Sequence, residues 1–244
     1  MTGPEIWIPY CGAAPVPAQW LARWNFDPAL LLVLGSALGF CLVRPSSDRL
    51  VQWMRLGTLA LTFLLFVSPF CVLGSALFSA RTVHHILLVA LLAPMAATAL
   101  ELHRHKLPGT FAQWTVAQAA VFWLWHAPPA YELALSSDLA FWAMQATIFG
   151  SAAVWFAHLR QQRAGTAVVG LLATMVSMGL LAALLTFGGA AFYAPHALTT
   201  SAWGLGPLED QQIAGLIMWA PGSAIYLLAA VTILYRSLQP ATAR

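Results

Sequence analysis

The sequence predicts an all-α fold: a polytopic membrane helix bundle of seven transmembrane helices, with its N-terminus outside and its C-terminus inside. Three observations predict it. Hydrophobic residues make up 60% of the 244 residues and charged residues only 8%, against about 25% charge in a soluble domain. Apolar windows near the roughly 20 residues needed to cross a bilayer core recur along the chain. Nine of the eleven lysines and arginines fall on one side of that reading, and short-loop cations mark the cytoplasmic face.

The first window, Pro28 to Val43, is short for a span, so its start belongs in the Trp24-Asn25-Phe26 stretch, with Trp24 at headgroup level. Gly35 and Gly39 give it a small-residue patch suited to close helix approach. The second window, Val51 to Leu73, and the third, Val83 to Leu100, carry Pro69 and Pro94, each of which predicts a kink. Thr110 to Ala127, the fourth, is closed by Pro128 and Pro129. Leu139 to His158 and Thr166 to Phe187 make the fifth and sixth. In the seventh, Ile213 to Tyr235, Gly215 and Gly222 flank Met218 and Pro221, which predicts an irregular backbone that must be buried in protein or line a polar cavity. The expected division is a Pro-rich periplasmic tail over 1–27, a transmembrane domain over 28–236 and a cytoplasmic tail over 237–244. Pro4, Pro9, Pro15 and Pro17, with no basic start and no apolar run, argue against a cleavable signal peptide.

Arg44, Arg49 and Arg55 surround the first connection, Arg104 and Lys106 the third, Arg160 and Arg163 the fifth, and Arg236 and Arg244 the last tail. Only Arg23 and Arg81 fall on the other side, in the N-terminal tail and the second connection. Acids show the complementary bias, with Glu5, Asp27, Glu132, Asp138, Glu209 and Asp210 outside. Arg55 is the one charged residue inside a window, which argues against a proton- or sodium-coupled transporter. The net charge of +3 describes membrane orientation, and nothing resembles a nucleic-acid surface.

Soft donors collect on the outer side: Cys11, Cys71, His84, His85, His126, His196 and Met218, with Asp210 before the seventh span. Thiolate, thioether and imidazole suit Cu(I), so the candidate metal residues are Cys11, His84, His85, His126, Met218 and Asp210. Each has a plainer use. Neighbours in sequence lie about 100° apart on a helix, so at most one of His84 and His85 points into the bundle. The His126 imidazole can satisfy carbonyls freed where the prolines end its helix. Cys11 can bind metal, pair with Cys71 or stay an inert thiol. A thioether such as Met218 fills core gaps, and Asp210 can cap the start of the seventh span.

Longer strings carry a resemblance. Ile8-Pro9-Tyr10-Cys11-Gly12, Trp24-Asn25-Phe26-Asp27-Pro28, His85 with Leu87-Leu88 and Ala93-Pro94, Leu124-Trp125-His126-Ala127-Pro128 with Tyr131, and the run from Asp210 to Gly222 resemble CtaG-type cytochrome c oxidase assembly factors. The resemblance implies a multi-pass protein of the bacterial cytoplasmic (inner) membrane, not an enzyme. Its role would be to mature haem-copper oxidases, with a part in delivering copper to the outer-facing dicopper centre. Implied partners are oxidase subunits, other copper-assembly proteins and the lipid bilayer. Relatives usually carry a histidine where this chain has Arg81, and a His pair early in the fifth span where it has Trp142 and Ala146. Two other classes stay open on sequence: a haem or quinone electron-transfer protein using His85 and His126, and a metal carrier or structural bundle.

Overall fold

A computed structural model describes residues 8–239; Pro4, Glu5 and Arg244 lie outside the described residues. Every regular element among them is helical. Helix α1 spans Pro28–Val43, α2 Arg49–Phe66, α3 Phe70–Ala76, α4 Phe78–Leu87, α5 Ala93–Ala99 and α6 Phe111–His126. Then come α7 Pro128–Ser136, α8 Asp138–Leu159, α9 Ala164–Phe187, α10 Pro207–Ile217 and α11 Ser223–Leu238.

Local side-chain caps start several of these helices. Asp27 accepts from the Leu30 amide at 2.8 Å, with Pro28 at the first helical position of α1. Asp48 does the same for Leu50 at 2.8 Å. Thr110 and Gln113 form a reciprocal capping box on α6, and the Glu209 carboxylate receives the Gly206 amide at 2.7 Å ahead of α10. Each contact satisfies an amide that has no partner within its own helix.

At each of the three prolines expected to kink a span, the regular α-helix is interrupted. Pro69 separates α2 from α3. Leu88–Leu92, just before Pro94, and Met218–Gly222, which contains Pro221, are π-helical. A widened turn accommodates a residue that has no N–H to donate to the preceding turn.

Among the described residues five continuous or interrupted helical rods are long and apolar enough to cross a membrane: Arg49–Ala76, Phe78–Ala99, Asp138–Leu159, Ala164–Phe187 and Pro207–Leu238. At 16 residues each, α1 and α6 reach about 24 Å, short of the roughly 30 Å hydrocarbon core. Large apolar side chains such as Leu32, Val43, Leu180 and Phe187 face outward. The interior is held by the fully buried Trp155, Tyr131, Phe141 and Leu65. With this inside-out distribution, the chain is a helical membrane protein.

Arg44, Arg55, Arg104 and Arg160, assigned to the inner side by sequence, lie at the ends of neighbouring helices. Arg55 donates to the carbonyls of Ala99 and Arg44, Arg160 to the Thr98 hydroxyl at 2.9 Å, and Arg104 pairs with Glu101 at 2.6 Å. Arg81 corrects the sequence reading. Placed there in a connection, it lies inside the first turn of α4 and is fully buried, because α4 begins at Phe78, five residues before the expected start. The Asp210 carboxylate, which accepts from the Phe78 and Ser79 amides, holds that early start from α10.

Candidate functional site: a buried histidine cluster

Helix α4 carries Arg81 in its first turn and His84 and His85 in its last into the bundle interior, all of them buried. The last residue of α6, His126, meets them there: its ring centroid lies 5.4 Å from that of His85, and His84 lies 5.9 Å from His85. Sequence allowed only one of His84 and His85 to face inward. Both do, because α2 and α3 cover the side of α4 that a lone helix would expose. The Phe66 and Phe70 rings lie 5.1 and 6.0 Å from the His84 ring.

Hydrogen bonds assign the ring nitrogens different tasks. His126 Nδ1 lies 2.7 Å from the Phe122 carbonyl; a carbonyl only accepts, so Nδ1 carries the proton and Nε2 keeps a lone pair. That Nε2 is buried without a partner. His84 is the mirror case, with Nε2 donating to the Leu65 carbonyl at 3.2 Å and Nδ1 left unpartnered. Neither nitrogen of His85 has a partner. Buried polar groups are nearly always hydrogen-bonded, so this clustering of free imidazole nitrogens marks the region as a site. The Tyr193 hydroxyl donates to the His126 carbonyl at 2.7 Å, satisfying the backbone that Pro128 leaves open.

The remaining sequence-derived candidates divide. Cys11 is bonded to Cys71, so in this form its sulfur is not a thiolate donor, and Cys41 is the free, buried cysteine. The pairing docks the tail: Tyr10 stacks on Phe141 at 5.1 Å and meets Trp142 edge-on at 5.1 Å. Met218 is fully buried in the π-helical segment, which packs against α4. Asp210 does not cap its own helix. Its carboxylate accepts from the Phe78 amide at 2.6 Å, the Ser79 amide at 3.2 Å and the Ser79 hydroxyl, and so caps α4 instead. Glu209 already serves α10, which leaves its neighbour free to reach across. Trp142 stacks on Phe66 at 5.4 Å, and Ala146 faces outward. Among the described residues no three His, Cys, Asp or Glu side chains stand close enough to hold a metal by themselves.

Sequence reasoning set His196 among the outer-side donors and Tyr131 in the family resemblance without joining the two, and it missed Gly74 as part of the same region. The Tyr131 hydroxyl lies 2.7 Å from His196 Nε2, and His196 Nδ1 faces the Ala76 carbonyl at 3.4 Å. With Nδ1 protonated toward that carbonyl, Nε2 accepts the tyrosine proton. Burial first, and then the Arg81 charge, hold the His196 imidazole down at about 3 from its ordinary 6.5, with the Ala76 carbonyl offsetting part of the shift. The folded chain therefore keeps His196 neutral while the unfolded chain protonates it below 6.5. Its contribution to stability is complete above that pH and is lost as pH falls toward 3. Thermal unfolding of a His196→Asn variant in detergent is expected to fall less steeply across that window, by about one proton, or roughly 1.4 kcal/mol per pH unit. An unchanged slope would contradict the buried neutral imidazole.

Compared with known families, residues 35–239 match the one described as cytochrome c oxidase caa3 assembly factor (Caa3_CtaG). No curated protein and no solved structure matches the chain.

Proposed function

The chain belongs to the cytochrome c oxidase caa3 assembly factor family, and on that premise we propose that it carries Cu(I) as cargo at the buried histidines and passes it to the dicopper centre of an oxidase subunit. The observation that carries this reading is His85, with both ring nitrogens unpartnered, 5.4 Å from the ring of His126, whose free Nε2 is held in its tautomer by the Phe122 carbonyl. Neutral imidazoles whose second nitrogen is fixed by a carbonyl make good soft-metal donors. His84 Nδ1 is a further unpartnered nitrogen on the same helix, its ring 5.9 Å from that of His85, and the Met218 thioether lies in the segment packed against α4. Asp210 acts through structure, holding the start of α4. Cys11 joins the donors only when the disulfide is reduced.

Arg81, one turn before His85, opposes any cation bound there. The ion is therefore held less tightly than the imidazoles alone would hold it, and it leaves readily for a recipient rich in thiolates. No bond-making catalysis is involved. A haem reading has less support, because a porphyrin between His85 and His126 would force the rings apart while the Phe122 ring lies 4.3 Å from His126.

The Cys11–Cys71 bond supports a tail on the oxidising side of a bacterial cytoplasmic membrane, and the cations at the opposite end support a cytoplasmic location for that end. In this arrangement α1 and α6 complete a set of seven spans, N-terminus outside and C-terminus inside. The test is copper loading of the oxidase subunit in cells deprived of their own copy of this protein. The wild-type chain restores loading, and His85→Ala/His126→Ala at normal membrane level does not. Full loading by the double variant would refute the site.

A further inference from the structure

We propose that Arg81 is the centre of a binding site for a small monovalent anion, a halide or a single carboxylate group, in the first turn of α4. This goes beyond the copper reading and does not depend on it. The Arg81 side chain is fully buried, none of Nε, Nη1 and Nη2 makes a well-formed hydrogen bond, and the nearby Tyr131 hydroxyl is neutral and so brings no counter-charge. Burying a charge is costly unless it is paired and hydrogen-bonded, so a guanidinium placed here demands a counter-charge.

The protein supplies little of it. Among the described residues Arg81 has no ion pair. Asp210, the acid at this end of α4, already receives three donors from Phe78 and Ser79. The face of the Phe141 ring, 5.3 Å from Cζ, offers only a weak cation–π contact.

Further unpartnered donors lie on the same two helices. They are the buried hydroxyls of Ser75 on α3 and Thr82 on α4, and the single N–H of a neutral His85. α4 is ten residues long, and the positive end of its dipole adds to the Arg81 charge. A cation in the first turn has the wrong sign for the helix, and a bound anion corrects both defects.

Gly74 is built around the fork. A Cβ there would lie 2.9 Å from Cζ and 2.9 Å from Nε, so only glycine leaves the guanidinium its place. Full burial among α3, α4 and the Phe141 ring restricts the ligand to a small one and excludes a phosphate headgroup. Halide and carboxylate share the needed chemistry, one negative charge accepting planar N–H donors.

The experiment is thermal unfolding of copper-free protein in detergent at constant ionic strength, in sodium gluconate, sodium chloride or sodium formate. Chloride, formate or both are expected to raise the wild-type midpoint saturably, by roughly 3 °C once the anion exceeds its dissociation constant about tenfold. A response to chloride alone identifies a halide site, and one to formate alone a carboxylate site. Arg81→Met is expected to abolish the response. If that variant does not fold, Gly74→Ala, which displaces the fork, is expected to shift half-saturation to at least severalfold higher anion. Equal midpoints for wild type in all three salts would overturn the proposal, as would an undiminished response in either variant. Because no copper is present, such a failure leaves the copper reading untouched.

Discussion

Replacing Asp210 with alanine is expected to destabilise the protein by roughly 3–5 kcal/mol. Its carboxylate is fully buried and is the acceptor for the Phe78 amide, the Ser79 amide and the Ser79 hydroxyl. Removing it strands three buried donors at the start of α4, each costing about 1–3 kcal/mol when left unmade, while local relaxation recovers part of the loss. It also removes the negative charge that complements the α4 dipole. Asp210→Asn keeps a single acceptor oxygen and is expected to lose about half as much. Because α4 carries His84 and His85, the loss extends from stability to the site. Reversible denaturation in mixed micelles measures both variants, and a cost below about 1 kcal/mol for Asp210→Ala would remove Asp210 from this role.

The second large effect belongs to the bond between Cys11 and Cys71, 60 residues apart. Closing a loop of that length restricts the unfolded chain by an amount worth about 4 kcal/mol in the chain-entropy account. Cys11→Ser and Cys71→Ser should therefore destabilise alike, and the double variant should be no worse than either single one, because all three remove the same bond. The folded state changes as well. Tyr10 leaves its stack on Phe141 and Trp142, opening the aromatic cover beside Arg81 and His84. Alkylation of unfolded, unreduced protein followed by mass analysis should label Cys41 alone. Labelling of Cys11 and Cys71 at that stage, or widely different costs for the two single variants, would contradict the linkage.

Much of this architecture is legible in the residues, since apolar windows and prolines report local causes. The window Pro28 to Val43 coincides with α1, but the extension of its start into Trp24-Asn25-Phe26 does not hold, because the Asp27 cap and Pro28 begin the helix at Pro28; Pro69, Pro94 and Pro221 announce irregularities that need no partner to exist. The site was less legible, because its essential contacts join residues far apart in sequence. Asp210 reads as a cap for the helix it begins. That it caps α4 depends on α10 lying beside α4, and on Glu209 taking the nearer task. Arg81 reads as a loop cation, because a charge is rarely buried at membrane depth; its burial depends on Gly74 in the preceding helix α3 and on Phe141 from α8. The inward direction of both His84 and His85 follows from α2 and α3 wrapping α4, which no helical wheel of α4 contains. Tyr131 and His196, 65 residues apart, carry no local signal of their pairing.

The most direct test of the copper account is the Cu(I) content of purified protein from copper-supplemented membranes, kept under reducing conditions, for wild type and for His85→Ala/His126→Ala. The account predicts about one Cu(I) per wild-type chain at low stoichiometry typical of a single imidazole-based site, and loss of most of it in the double variant. Equal copper in the two proteins, or none in either, would contradict it.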